Sequence, residues 1–268
     1  MKFFKLVRLS GVHFWKADGM DHAMVLAFTS LLGLVPVLGL LLSLFSASTW
    51  FEDLSERLVT ALVHWLTPSA MPVVETYLNT FSEKATSLTG ISAWLMALTS
   101  LLLLAKIDQK INHFWTHKHP RRWWVSLLHY FGVSVAGPLV LALALTLQSW
   151  LVASGLAKLS PILAQWLPAS LYLLGLMLLY RYVPVMKVTW KEAFYGALLV
   201  AVLLEGLQYG FGVYVSVFGT YNLIYGAFAA VPFFLLWLYG LWLVILFGAV
   251  WVRTLGRLRR RREERVER

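Results

Sequence analysis

The sequence predicts an all-α polytopic membrane protein. It has six transmembrane helices with the N- and C-termini cytoplasmic, plus amphipathic helices at the N-terminus and in the first outer loop. Three observations predict this. Hydrophobic residues make up 59% of the 268-residue chain and charged residues 13%, against about 25% charged in a soluble domain. Several apolar runs exceed the roughly 18 residues at which a stretch reads as a bilayer span. Lysine and arginine are also sorted by loop: the N-terminus, second loop, fourth loop and tail hold 4, 5, 3 and 8, whereas the other side has only Arg57, Lys84 and Lys158. Basic loops face the cytoplasm, which gives six spans with both ends inside. In lipid every backbone polar group needs a partner within helices or a closed barrel, and these runs are of helix length. One membrane domain over residues 1–252 and a basic cytoplasmic tail over 253–268 follow.

Residues 1–20 read as an interfacial helix. Phe3, Leu6, Val7 and Phe14 can share one face, with Lys2, Lys5 and Arg8 elsewhere, the pattern of a helix drawn to anionic lipid. The two inner charges, Lys5 and Arg8, and the lack of a small-residue cleavage site argue against a cleavable signal. The first span runs from about His22 to Ser46. Gly33, Pro36 and Gly39 at its centre predict a kink or a broken helix, because proline removes a backbone hydrogen bond; an ordinary bend is the alternative.

Residues 50–88 form the longest extramembrane loop and carry two outer amphipathic helices. One is built on Leu54, Leu58, Leu62 and Trp65, the other on Val74, Tyr77, Leu78 and Phe81, both at helical spacing. The second span starts at Gly90 and runs through Ala105 into KIDQKINHFW, where Lys106 and Lys110 snorkel toward the interface. Trp115, Trp123 and Trp124 mark a headgroup level beside the basic loop THKHPRR. The third span covers about 125–152 with Gly137-Pro138 near its middle, and the fourth about 163–182. The fifth, about 193–217, contains Glu205, and the sixth covers about 223–252. Pro36, Pro138 and Pro232 suggest three interrupted helices. LVPVLGLLL and AVPFFLLWL echo one another only weakly and do not establish an inverted repeat.

The chemistry gathers between Glu205 and Pro232. A carboxylate near the bilayer centre costs roughly 2.5–3.5 kcal/mol on insertion scales, which makes Glu205 a functional candidate. Gln208 and Tyr209 lie within a turn of it. Gly206, Gly210 and Gly212 leave helix surface without side chains, where another backbone can approach. With Pro36 and with Tyr221, Asn222 and Tyr225 of the following turn, these residues form the candidate cavity or translocation site. Glu205 would bind a proton, a cation or a substrate amine there; the alternative is an acid that glues helices together. Gln148 reads as a hydrogen-bonding link to a neighbouring helix.

His113, His117 and His119 give H-x-x-x-H-x-H, but no carboxylate or cysteine nearby completes a metal set, so no metal and no cofactor are expected. The chain has no cysteine, which removes disulfides and thiolate chemistry. No G-x-S-x-G, H-E-x-x-H or G-x-x-x-x-G-K-[ST] motif appears; an enzyme is not expected. The net charge of +10 is explained by orientation signals and contacts with anionic lipid headgroups. A nucleic-acid site would need basic residues gathered on a folded face, so nucleic acid is not an expected partner.

Several segments together resemble a known family: KINHFW (110–115), LYRYVP (179–184), WKEAFYGAL (190–198), LLEGLQYGFGVYV (203–215) and YNLIYGAFAAVPFFLLWLYGLW (221–242). The last is the most specific, with Tyr221, Tyr225, Gly226, Pro232, Trp237 and Tyr239 in the expected order. The chain is similar, over nearly its whole length, to the YihY/BrkB family of bacterial inner-membrane proteins, formerly mislabelled ribonuclease BN. The resemblance implies six spans in the inner membrane and no defined molecular activity, with links among relatives to envelope lipid handling and serum resistance. One departure is Gly248-Ala249-Val250, where relatives often place glutamate after Gly-Ala. The leading expectation is a transporter-like protein that moves or gates a lipid-related or amphipathic solute. The alternative is a non-transporting scaffold of the cell envelope. Oligomeric state is not readable from the residues.

Overall fold

The computed structural model describes residues 2–46, 91–115, 161–184, 186–218 and 230–266. Among these residues all regular structure is helical. Six helices are seen: α1 (Lys2–Lys16), α2 (Gly19–Ser46), α3 (Ile91–His113), α4 (Pro161–Tyr182), α5 (Trp190–Phe218) and α6 (Ala230–Val266). The expected outer helices of 50–88, the third span with Gly137-Pro138 and Gln148, and the loop with His117 and His119 lie outside the described residues. So do Tyr221, Asn222 and Tyr225.

Helix α6 is the hub, packing against α1, α2 and α5, while α2 also packs on α3 and α4 on α5. The reason is periodicity. On α5 the buried apolar side chains are Ala193, Ala197, Val200, Leu204, Phe211 and Val215, spaced by three, four or seven and so on one face. On α6 the buried set includes Phe234, Trp237, Leu238, Leu246, Ala249, Val250 and Val252. Two apolar clusters result. One, around Tyr180, Leu246 and Phe114, joins α1 through α6. The other, around Phe211, Phe234 and Trp237, joins α2, α5 and α6.

Among the described residues, two helical stretches are long and apolar enough to cross a membrane, Trp190–Val217 in α5 and Val231–Arg261 in α6. Less than half of either apolar stretch is buried, so the remaining apolar surface faces outward. A soluble core helix would hide it. Leu198, Val202 and Val213 of α5 and Phe28 and Leu32 of α2 are among the exposed large apolar residues.

Helix α1 is more firmly held than a helix merely resting at the interface. Leu6, Ser10 and Phe14 turn inward, while Phe4 and Trp15 stay exposed. The Phe14 ring stacks on Phe114 at 6.0 Å and meets Phe247 edge-on at 6.0 Å. A tight corner follows, with Asp18 at φ 51°, a left-handed conformation that a short polar side chain tolerates better than most. His22 N–H then donates to the Asp18 carbonyl at 3.0 Å, and α2 is under way.

Two expected proline interruptions are not seen among the described residues. Helix α2 passes through Gly33, Pro36 and Gly39 without a break; one missing N–H leaves the remaining ladder to carry the helix. Pro232 is the third residue of α6, within the first turn, where its N–H would have no intrahelical acceptor in any case. The helix runs without a break from Ala230 through Pro232 to Val266. The basic tail is also no loose appendage, since α6 continues through it to Val266.

Candidate functional site

The two ends of α5 are built differently. At its N-terminus the sequence Thr189-Trp190-Lys191-Glu192 forms a reciprocal cap. The Thr189 backbone N–H donates to Glu192 Oε2 at 2.8 Å, and the Glu192 N–H approaches Thr189 Oγ1 at 3.4 Å. This is the capping box, in which two orphan donors of a helix start are satisfied by side chains. Glu192 is 7% exposed, and Arg259 of α6 approaches its Oε1 with Nε at 3.2 Å. That contact is an ion pair whose alignment falls short of a hydrogen bond, since Oε1 has no hydrogen-bonded partner. The cap therefore ties the start of α5 to the helical tail.

The next turns of α5 are packed without slack. A methyl group on Gly196 would collide with Val252, and one on Gly248 would collide with both Val200 and the Tyr180 hydroxyl. Tyr180 is fully buried and donates its hydroxyl proton to the Ile245 carbonyl at 2.8 Å. That bond fixes α4 against α6 across the narrow crossing with α5. Asn112 of α3 adds a second tie, donating to the Val183 carbonyl at 3.1 Å and to Asp108 Oδ1 at 2.9 Å. Lys110 Nζ reaches His22 Nδ1 at 3.0 Å. An ammonium there must donate, so Nδ1 accepts and the proton of a neutral ring sits on Nε2, which is buried without a partner.

Farther along α5 the character changes. Glu205, Gln208 and Tyr209 are all exposed, Tyr209 at 79%. Methyl groups placed on Gly206, Gly210 or Gly212 would meet nothing within 4 Å. The expected close approach of a backbone at these three glycines is therefore not made by the helices described. Tyr172 of α4 lies within electrostatic reach of Glu205. Across the helix, Phe211 packs on Trp237 at 5.2 Å, and Trp242 Nε1 donates to Ser30 Oγ at 3.0 Å.

Of the sequence candidates, Glu205, Gln208 and Tyr209 thus come together on one exposed strip. Pro36 lies on α2, and its side chain is outside the described ones. His113 meets His22 at 4.4 Å between ring centroids, but among the described residues no three metal-ligating side chains converge.

This architecture has a family. The profile of the virulence factor BrkB family matches residues 11–268. The chain belongs to the BrkB family. It is 41% identical over 237 residues to a UPF0761 membrane protein of Chromobacterium violaceum, covering 86% of this chain and 57% of that one. A UPF0761 membrane protein of Pseudomonas aeruginosa is 37% identical over 254 residues, 90% of this chain and 61% of its own. One of Tolumonas auensis is 34% identical over 253 residues, 91% and 84% respectively. The chain spans about three fifths of the length of the first two relatives. No solved structure matches. Membership makes this a membrane protein, in agreement with the outward apolar surface of α5 and α6.

Sequence reasoning missed the ordered end of this family scaffold. Glu192 and Thr189 carry a readable signal, T-x-x-E before an apolar run. Arg259 has none, because its partner is 67 positions away by the numbering. Tyr180 likewise reads as one more aromatic residue in an apolar span.

Proposed function

We propose that this BrkB-family protein is a multi-pass protein of the bacterial inner membrane that binds, and moves or gates, a lipid-related or amphipathic solute along the exposed face of α5. In this reading it crosses the bilayer six times with both termini in the cytoplasm, as the distribution of basic residues supports. The observation that carries the functional part is Glu205, a carboxylate exposed on a mostly apolar helix beside glycines that nothing covers. An amphiphile suits such a surface. Its polar or cationic head would meet Glu205 and Gln208, and its chain would lie over the side-chain-free ridge of Gly206 and Gly210. By rise per residue Glu205 is about 22 Å along α5 from Trp190, past the middle of a hydrocarbon core about 30 Å thick. A carboxylate at that depth is costly unless it has a partner, and a bound head group supplies one. Catalysis is not part of this reading, since no nucleophile, base and acid pair lies on the strip.

The test uses the absence of cysteine. Glu205→Cys and, as a control on the buried face, Val200→Cys are each labelled with a membrane-impermeant thiol reagent from either side of sealed vesicles. Modification of position 205 but not 200 is expected. An unreactive position 205 in folded protein, with exposed loop positions reactive, overturns the solvated strip and favours a scaffold role with Glu205 held between helices.

A further inference from the structure

Among the described residues, the corner between α4 and α5 holds a cation that no acid pairs with. Arg181 stands in the last turn of α4, where the helix dipole favours positive charge. Its guanidinium carbon lies 5.6 Å from the Tyr182 ring centroid and 5.6 Å from that of Trp190, the first residue of α5. The two rings meet edge-on at 6.1 Å and are about half exposed, 50% and 47%. Among the described residues no acceptor is seen on the guanidinium, and its buried Nε has none. The acid of this corner, Glu192, is committed to its cap and to Arg259. Among the described residues the other charged side chains here are Lys187 and Lys191, both exposed, and Arg260, whose Nη2 lies 3.9 Å from Met186 Sδ. All three are cations.

We propose that Arg181, Tyr182 and Trp190 form a binding site for the phosphodiester headgroup of an anionic phospholipid. A planar guanidinium matches two phosphate oxygens with parallel hydrogen bonds. Amphipathic rings settle at the headgroup level of a bilayer. Below the corner, the exposed Phe194, Leu198 and Val202 of α5 continue as a ridge at four-residue spacing, which gives the acyl chain an apolar track. Two plates of aromatic surface on the guanidinium weaken its hydration and hold its fork in one orientation. The site depends on this end of α4 lying at a membrane surface. It does not depend on transport or on Glu205.

The full-length protein, purified in a neutral detergent, is titrated with phosphatidylglycerol, with phosphatidylcholine and with inorganic phosphate, and retained ligand is counted by native mass spectrometry. Phosphatidylglycerol is expected to bind at least tenfold more tightly than phosphatidylcholine. Arg181→Gln should remove that preference, and Arg181→Lys should restore only part of it. Lys187→Gln, an exposed control at the same corner, should change binding by less than twofold. Trp190→Leu, which keeps the charge and removes one ring, should weaken retention several-fold and serves if Arg181→Gln does not fold. Unchanged phosphatidylglycerol binding in a folded Arg181→Gln or Trp190→Leu protein overturns the site. Arg181-dependent binding of inorganic phosphate without lipid preference would overturn the lipid assignment in favour of a soluble phosphate.

Discussion

The first half of α5 and its second half use the same residue types to opposite ends. Near the capped end, Gly196 packs under Val252, and Gly248 of α6 packs under Val200 and Tyr180. In the second half, Gly206, Gly210 and Gly212 face open space. The first half holds a carboxylate too, Glu192, buried and held by a cap and a cation. The second holds Glu205, exposed. Glycine and glutamate in an apolar helix are therefore not one signal. Where the facing helix brings bulk and a partner, they make a rigid joint; where it brings nothing, they leave a surface that can accept something else.

The sharpest way to break this comparison is to add one methyl group on each side of it. Gly248→Ala must displace Val200 or the Tyr180 hydroxyl, and that hydroxyl is tied to Ile245. Overpacking of this kind costs about 1–3 kcal/mol. A clearly lowered thermal midpoint in detergent is expected, and Gly196→Ala should follow because Val252 is itself fully buried. If both variants melt with the wild type, the joint is not tight and the contrast between the halves fails.

A smaller effect is expected at the cap. Glu192→Ala removes the acceptor for the Thr189 N–H and the carboxylate that faces Arg259. Loss of a helix cap costs about 0.5–2 kcal/mol. The Arg259 contribution is minor, because its side chain is 41% exposed and solvent screens such a pair. Glu192→Gln keeps a carbonyl oxygen for the cap and should lose less. Hydrogen exchange at the first turn of α5 should quicken in Glu192→Ala while α2 stays protected. A cap that matters only locally would show this without a change in the melting of the whole protein; a joint that holds the scaffold would show both.

The residues explain what could be read in advance. The extents of α4 and α5 were legible because a long apolar run bounded by charge has few alternatives in a membrane. The direction each face points was not. Gly206, Gly210 and Gly212 carry the small-residue spacing of a helix contact, yet the contact is made at Gly196 and Gly248, because close approach depends on what Val252, Val200 and Tyr180 present from other helices. Pro36 and Pro232 look alike in sequence, and each suggests an interrupted helix. One lies well inside a continuous α2, the other in the first turn of α6, and only the position of the helix start separates them. At the site, Glu205, Gln208 and Tyr209 were legible as a strip from spacing alone. The aromatic setting of Arg181 was not, because Trp190 approaches it from the next helix.

The smallest expected effect is the most telling for the open half. Gly206→Ala and Gly210→Ala add a methyl group where nothing lies within 4 Å. Alanine is favoured over glycine in a helix interior by about 1 kcal/mol at most, so each variant should melt at or slightly above the wild type. Addition of an amphiphile then separates the roles of the surface. If the glycine ridge seats an acyl chain, bulkier changes such as Gly206→Leu should leave the melting of the free protein nearly unchanged and lower retention of the amphiphile. A destabilisation of Gly206→Ala as large as that of Gly248→Ala would mean that this face is already covered in the membrane. The two halves of α5 would then be packed alike, with the second half closed by a further helix of the same chain or of another copy.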